Sequence, residues 1–210
     1  MAYAVKECFL TLQGEGVQSG SRAVFLRFAG CNLWSGREGD RASAQCNFCD
    51  TDFVGTDGEG GGKFADAEAL ADRVVSIWGE GEGRRLVVIT GGEPMLQLDP
   101  ALVEALHVRG FRVAVESNGT LPAVEGIDWL CVSPKAGTDV VQRSGDELKL
   151  VWPQDGIDPA ALEQWDFANF LIQPMDCERC EEAMQAAIEL VMERPRWRLS
   201  LQTHKLIGLP

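Results

Sequence analysis

Short runs of consecutive apolar residues alternate along the chain with segments whose apolar positions recur at helical spacing. The runs predict buried strands at 23–29, 86–90, 112–116, 129–132, 148–152, 169–172 and 197–201. The segments with helical spacing predict helices at 66–78, 99–108, 159–165 and 180–193. Strands that are apolar throughout suit a parallel sheet covered on both faces. The alternation therefore predicts an α/β protein built from right-handed β-α-β units.

The length of the chain limits how complete such a fold can be. The sequence has 210 residues, whereas a complete eight-fold β/α barrel takes about 250. The connections 119–127 and 136–146 are too short or too broken for full helices. We therefore predict a partial, open TIM-like β/α barrel with about six or seven mostly parallel strands and few helices. One domain is expected to span residues 1–210.

The net charge and the composition limit which partners the protein can bind and in which cellular compartment we expect it. A net charge of −13 repels phosphate backbones and anionic lipids, which argues against nucleic-acid and membrane partners. No apolar run approaches the roughly 20 residues of a membrane span, and the first residues lack the pattern of a secretory signal. We expect a cytoplasmic protein. In that compartment the seven cysteines favour metal ligation or catalysis over disulfides.

Three cysteines are clustered in the first quarter of the chain. Cys31 follows the first predicted strand, and Cys46 and Cys49 form a C-x-x-C pair after a gap of fourteen residues. Thiolates suit both zinc and iron–sulfur clusters. Three of them can hold a four-iron cluster and leave one iron free, whereas structural zinc needs four ligands, which His107 or His204 would have to complete. The motif by itself leaves both metals open.

A Thr-Gly-Gly-Glu-Pro turn directly follows the predicted strand 86–90. Such a turn exposes backbone carbonyls to an ammonium group. With the three cysteines it resembles the radical S-adenosylmethionine superfamily, whose cysteines hold a 4Fe-4S cluster and whose Gly-Gly-Glu-Pro turn binds the methionine amino group. Phe48 matches the aromatic residue that precedes the last cysteine in that superfamily. The first gap departs from the usual pattern, because fourteen residues replace three.

A narrower resemblance comes from the segment Thr-Leu-Gln-Gly-Glu-Gly at 11–16, the cluster spacing and Cys49-Asp50-Thr51. These features, and the chain nearly end to end, resemble the 7-carboxy-7-deazaguanine synthase family. The resemblance implies a lyase that cleaves S-adenosylmethionine to a 5′-deoxyadenosyl radical. It converts 6-carboxy-5,6,7,8-tetrahydropterin to 7-carboxy-7-deazaguanine with loss of ammonia, toward queuosine. It also implies magnesium on Thr51, a flavodoxin- or ferredoxin-type reductant and a homodimer.

Polar groups follow the ends of the predicted strands, where a barrel places its active site. By resemblance, the cluster is held by Cys31, Cys46 and Cys49. The expected cofactor-binding residues are Phe48, Asp50, Gly91, Gly92, Glu93, Glu116, Asn118, Ser133, Pro134, Lys135, Gln173, Pro174, Met175 and Asp176. The expected substrate-binding residues are Leu12, Gln13, Gly14, Glu15, Arg27, Thr90, His204 and Pro210.

Specific contacts are expected for three of these substrate-binding residues. Arg27 suits the substrate carboxylate, with a surface ion pair as the alternative. His204 is expected on the rim of the last strand. The carboxylate of Pro210 is expected to accept a hydrogen bond from the pterin amine.

Two other functions remain possible from the sequence. A glycyl-radical-enzyme activase would share the short barrel and the turn but would act on a protein partner. A non-catalytic zinc or iron–sulfur module would explain the cysteines but not the turn or the polar rim. The second C-x-x-C, Cys177 and Cys180, is open as a redox pair or an extra metal site, and we treat it as helix surface or core.

Overall fold

The computed structural model describes residues 2–81 and 83–210. Its strands are β1 (Tyr3–Leu12), β2 (Arg22–Phe28), β3 (Gly62–Phe64), β4 (Arg85–Gly91), β5 (Phe111–Ser117), β6 (Trp129–Val132), β7 (Ser144–Trp152), β8 (Asp166–Pro174) and β9 (Trp197–Leu199). Its helices are α1 (Ala67–Trp78), α2 (Pro100–Val108), α3 (Pro159–Leu162), α4 (Cys180–Glu193) and α5 (Thr203–Ile207). Two short 3-10 helices, Glu38–Ser43 and Pro94–Leu96, complete the described elements.

The described strands form one open sheet in the order β3-β1-β2-β4-β5-β6-β7-β8-β9. From β2 to β9 every neighbouring pair is parallel. β1 pairs antiparallel with both β2 and β3. This confirms the open, mostly parallel α/β fold, but the expected count of six or seven strands is wrong because the sheet has nine.

The two missed strands extend one edge of the sheet. β1 mixes apolar and charged residues, so it lacks the uniform apolar run that marked the other strands. β3 has three residues, and its backbone pairs with Tyr3, Ala4 and Val5. Neither strand carries the uniform apolar run that predicted the others, and β3 is held by its pairing with the distant β1.

The larger helices begin at the predicted caps. The Asp66 carboxylate accepts a hydrogen bond from Ala69 N at 2.9 Å at the start of α1. Asp99 accepts from Leu102 N at 3.0 Å at the start of α2, with Pro100 in the first position. α3 is shorter than predicted, and β9 ends at 199 rather than 201. The connections 119–127 and 136–146 carry no helix, as predicted.

The main hydrophobic core joins the helices to one face of the sheet. Side chains alternate between the two faces of a strand, so β7 contributes apolar residues to the core and polar residues to the other face. Leu148 and Leu150 are fully buried in the core, while Glu147 and Lys149 belong to the opposite face. The face that turns away from the helices is therefore partly polar, and it leads to the cavity described below.

Replacing Asp99 with alanine is expected to lower the free energy of unfolding by about 1–2 kcal/mol. The change removes the cap of α2 and also the acceptor of the buried Tyr3 hydroxyl, which donates to Asp99 at 2.7 Å. Urea unfolding measures the loss. Asp66→Ala is the matched control, since it removes a similar cap from α1. A loss no larger than that of the control would contradict a contribution from the Tyr3 hydrogen bond.

Among the described helices, none has both the length and the apolar composition needed to cross a membrane.

Candidate active site

A cavity of about 440 Å³ lies at the carboxyl ends of the parallel strands. Because these strands run the same way, their ends meet at one edge and bring side chains from distant segments together. The loops at 12–15 and 46–53 and the segment 202–210 supply the remaining walls. The volume lies within the range of small-molecule sites, about 300–1,000 Å³.

The structure places all but two of the predicted site residues around this one cavity. Those that line it are Leu12, Gln13, Gly14, Glu15, Arg27, Cys31, Cys46, Phe48, Cys49, Asp50, Thr51, Thr90, Gly91, Gly92, Glu116, Asn118, Ser133, Lys135, Gln173, Pro174, Met175, Asp176, His204 and Pro210. Lining residues to which the sequence gave no role include Ser117, Lys149, Gln202 and Lys205.

The two exceptions, Glu93 and Pro134, lie behind the cavity wall. Glu93 is fully buried, and its carboxylate accepts hydrogen bonds from Met95 N, Ser117 Oγ and Asn118 N at 2.7–3.0 Å. The Pro134 carbonyl accepts from a buried glutamine amide. Their side chains do not line the cavity, and their role in binding a cofactor stays a prediction. Glu93 ties the glycine turn to the end of β5, because its acidic oxygens satisfy buried donors on both segments.

The three clustered cysteines occupy one wall of the cavity. Cys46 and Cys49 share a hydrogen bond, which raises the pKa of Cys46 and lowers the pKa of Cys49. Burial raises the pKa of the Cys31 thiol, whose sulfur accepts from Leu33 N at 3.4 Å. The thiols therefore face the same space although fourteen residues separate the first two.

This donor set fits a cluster better than a single ion. Among the described residues, no three Cys, His, Asp or Glu side chains converge closely enough to hold one metal ion. A four-iron cluster binds each thiolate at a different iron, so its ligands surround it instead of converging on a point. The cavity wall supplies three thiols, which would leave one iron for a ligand other than cysteine.

The glycine turn lies directly beside the cluster loop. A side chain at Gly92 would place its Cβ 2.3 Å from the Gly30 carbonyl oxygen and 2.5 Å from Cys31 Cβ. The amide of Glu93 donates to that same carbonyl at 3.0 Å. Only glycine permits this approach, so the turn and the three thiols form adjacent parts of one site.

Another part of the cavity wall carries polar atoms of Ser133, Lys135 and Gln173. Gln173 is buried, and within the described chain its Oε1 accepts no hydrogen bond. A buried acceptor without a donor is destabilising, so this oxygen fits a ligand that donates to it. Lys135 Nζ lies 5.9 Å from the centre of the Phe48 ring and donates to Ser133. The residues of the rim therefore fit a polar cofactor next to the three thiols.

A buried ion-pair network forms the floor of the cavity. Lys149, with a side chain 4% exposed, donates to Glu15 and to Glu116 Oε2, the latter at 2.8 Å. Gln13 Nε2 donates to Glu116 at 2.9 Å, and Gln202 Nε2 donates to Glu15 at 2.9 Å. Burial raises the pKa of Glu116, but the Lys149 charge and the hydrogen bonds from Lys149 and Gln13 together outweigh burial, so the pKa is lowered. The floor therefore presents carboxylates that Lys149, Gln13 and Gln202 hold in fixed positions.

The comparisons with known proteins agree with this geometry. The family model described as the Radical SAM superfamily matches residues 39–146, slightly more than half of the chain. A 7-carboxy-7-deazaguanine synthase of Bordetella pertussis is 60% identical over the full length of both chains. One of Caulobacter vibrioides is 61% identical, again over the full length of both.

The chain belongs to the 7-carboxy-7-deazaguanine synthase family. A crystal structure described as QueE from Escherichia coli is similar in fold, with a TM-score of 0.69 and 29% identity, and the match covers 97% of this chain and 95% of that one. The family expected from the cysteines, the glycine turn and the segment 11–16 is thus confirmed, and with it a radical S-adenosylmethionine enzyme.

In this member of the synthase family, Arg27 lies on the cavity wall and also in an ion pair. Its Nε donates to Glu7 Oε1 at 2.7 Å, and both side chains are partly exposed. The ion pair that the sequence offered as an alternative is present, yet the same guanidinium still borders the cavity. Its role toward a substrate carboxylate stays a prediction.

The end of the chain closes the cavity differently from what the sequence predicted. His204 belongs to α5 and not to the rim of the last strand, because β9 ends at Leu199. It packs so closely on Gly14 that a Cβ there would be 2.0 Å from His204 Nδ1. The Pro210 carbonyl accepts a hydrogen bond from Thr11 Oγ1 at 3.3 Å, which brings this segment to the mouth of the cavity.

Lys205 connects three parts of the wall. Its ammonium pairs with Asp50 at 2.7 Å and with Asp176 on the other side. Asp50 follows the last cluster cysteine, and Asp176 follows β8, so the lysine joins the cluster loop to the cofactor rim. The sequence placed Lys205 on the last rim without a role, since the two carboxylates that bind it lie 155 and 29 residues away.

Proposed function

We propose that the chain converts 6-carboxy-5,6,7,8-tetrahydropterin to 7-carboxy-7-deazaguanine with loss of ammonia, using a 4Fe-4S cluster and S-adenosylmethionine. One observation carries the proposal: a single cavity joins three cysteine thiols, a glycine turn and a floor of charged groups. The full-length similarity to 7-carboxy-7-deazaguanine synthases supports this choice of reaction. The product of those relatives is a precursor of queuosine.

The residues next to the thiols are suited to bind S-adenosylmethionine. When bound, the cluster and S-adenosylmethionine together supply the one-electron chemistry. Carbonyls of Gly91 and Gly92 are available to the methionine ammonium group beside the cluster. Ser133 and the unpaired Gln173 Oε1 offer hydrogen bonds to the nucleoside, and Lys135 carries a charge that complements a carboxylate.

The charged floor and Arg27 are suited to a pterin that carries a carboxylate. The Arg27 guanidinium can pair with that carboxylate. Glu15 and Glu116, which both pair with Lys149, can accept hydrogen bonds from the amine and amide edge of the pterin. Thr51 provides a hydroxyl oxygen at the cavity for a magnesium ion, which takes few protein ligands and keeps several waters.

The partners belong to the same proposal. The substrate is a small molecule, and a flavodoxin- or ferredoxin-type protein supplies the electron. The enzyme acts in the cytoplasm as a homodimer, and residues 1–210 form one domain. The activase alternative is disfavoured because the charged, enclosed floor suits a small heterocycle. A zinc module is disfavoured because the cavity carries three thiols and a polar rim instead of a closed set of four ligands.

Anaerobic turnover tests this function. Reconstituted, reduced protein receives S-adenosylmethionine, 6-carboxytetrahydropterin and magnesium, and mass spectrometry follows 7-carboxy-7-deazaguanine and 5′-deoxyadenosine. We expect both products from the wild type and neither from Cys31→Ala, since two thiols hold a cluster poorly. Cys177→Ala is the matched control, because this cysteine lies outside the cavity lining, and it should keep full activity.

The outcomes separate the parts of the proposal. 5′-Deoxyadenosine without the deazaguanine product would mean that the cofactor is right and the substrate wrong. Bound zinc in place of iron, with neither product, would favour the metal module. Activity that falls to nothing when magnesium is chelated, and returns on its addition, would support the metal ion at Thr51.

A further inference from the structure

The fourteen residues between Cys31 and Cys46 form a folded loop. The thiols need a connection between them, but they do not account for the contacts inside this loop. Leu33 and Trp34 are each 7% exposed, while the 3-10 helix Glu38–Ser43 lies outside them. The amide of Gln45 donates to the Leu33 carbonyl at 3.2 Å, which joins the two ends of the loop. The loop is thus folded on itself before it reaches Cys46.

Trp34 anchors this loop to the chain that follows the cysteines. Its ring meets the ring of Phe53, which is 1% exposed, edge-on at 5.6 Å between centroids. Its Nε1 donates to the Arg37 carbonyl at 3.2 Å. The first half of the loop is therefore packed against the segment that follows the C-x-x-C turn.

Arg41 connects the second half of the loop to the turn itself. Its guanidinium lies over the Trp34 ring at 4.1 Å and is held by Glu38 through two contacts of 2.8 and 2.9 Å. From there Nη1 donates to the carbonyls of Asn47 and Cys49, both at 3.0 Å. A planar guanidinium presents several donors in fixed directions, so one side chain sets the position of two carbonyls.

We propose that Arg41 is a positioning residue for the iron–sulfur cluster: it holds the backbone of the Cys46–Cys49 turn in the geometry that the cluster requires, before the cluster binds. This rests on the proposed function, because it assumes a cluster on these thiols. The long gap then has a physical purpose, since it carries the side chain that orders the two later ligands. Ordering ligands in advance lowers the entropic penalty of binding.

The test compares the retention of the cluster in four proteins. Wild type, Arg41→Met, Arg41→Lys and Arg37→Met are reconstituted without oxygen, and iron content and the rate of bleaching by an iron chelator are measured. We expect Arg41→Met to lose its cluster about tenfold faster than the wild type, because two charge-assisted hydrogen bonds are gone. Arg41→Lys keeps the positive charge but not the planar guanidinium with its several donors. Its rate of cluster loss should therefore lie between those of the wild type and Arg41→Met.

Arg37→Met is the matched control, since Arg37 belongs to the same loop but its side chain is exposed. It should match the wild type. Equal rates of cluster loss in wild type and Arg41→Met would overturn the proposal. So would an Arg41→Met protein whose apo form melts well below the wild type while Arg41→Lys gives no rescue, because the residue would then serve the fold in general.

If the wild type binds no cluster, the proposed function is wrong, and the effect of Arg41 on the loop is then tested in the apo proteins. A glutamate-specific protease can cut after Glu38, which all four proteins retain. Faster cleavage at Glu38 in Arg41→Met than in Arg37→Met supports the ordering of this loop by Arg41. Identical cleavage in the two variants overturns it.

Discussion

Replacing Lys149 with methionine is expected to lower the free energy of unfolding by about 3–5 kcal/mol. Methionine keeps the length of the side chain but leaves the partly buried Glu15 and Glu116 without their shared cation. Two unpaired carboxylates would repel each other, and the floor of the cavity would rearrange. Product formation should therefore fall about 100-fold or more, because a shift of about 1 Å in a positioning group has an effect of this size. Urea unfolding of the apo protein and turnover of the reconstituted protein measure the two losses.

Two further variants show whether the effect of Lys149→Met comes from the loss of its ion pairs. Adding Glu116→Gln removes one of the two stranded carboxylates and should restore part of the stability without restoring activity. Lys63→Met removes an exposed lysine from β3 and should change stability by no more than about 0.5 kcal/mol. If Lys149→Met were as stable as Lys63→Met, the ion-pair network would not hold the floor together.

Replacing Glu93 with alanine should also be strongly destabilising, by about 3–5 kcal/mol, because three buried donors would lose their acceptor. These donors belong to the glycine turn and to the end of β5, so the turn should move away from the cluster loop. Binding of S-adenosylmethionine should weaken as a consequence. Denaturant unfolding of the apo protein and equilibrium binding to the reconstituted protein measure the two effects.

Glu93→Gln distinguishes support from direct contact with the cofactor. Glutamine keeps one acceptor oxygen but places an amide NH2 against one of the donors. We therefore expect Glu93→Gln to lower both the stability and the binding of S-adenosylmethionine, each by less than Glu93→Ala does. If Glu93→Gln weakened binding while stability stayed unchanged, the side chain would contact the cofactor, contrary to its position behind the wall. The two properties should change in parallel because Glu93 acts through the backbone of the turn.

The sequence predicted those parts of the molecule that carry a local pattern. Asp66 and Asp99 marked the starts of two helices, and Cys31, Cys46 and Cys49 marked the cluster wall, because each signal lies within a few residues of the feature it specifies. Seven strands were placed to within a few residues, since apolar runs in a parallel sheet stop near the polar rim, although β9 ends two residues earlier than predicted.

The missed features depend on contacts between distant segments. The role of Lys149 requires Glu15, which lies 134 residues away, and nothing near Lys149 in the sequence indicates which carboxylates it binds. Glu93 resembles a cofactor ligand in its motif, but the bonds it makes to Ser117 and Asn118 turn its side chain from the cavity. Spacing along the chain carries no information about the direction in which such a side chain points.

The junction between the segments 11–16 and 200–210 affects how molecules reach the cavity. Thr203 N donates to the Gly14 carbonyl at 2.9 Å, Gly16 N donates to Ser200 Oγ at 2.9 Å, and Thr11 Oγ1 donates to Pro210. These contacts are single hydrogen bonds between two segments, whereas the strands that carry much of the wall are paired in one sheet. Such a junction separates at a lower free energy than a sheet does. We therefore expect access to the cavity to depend on this junction more than on the paired strands.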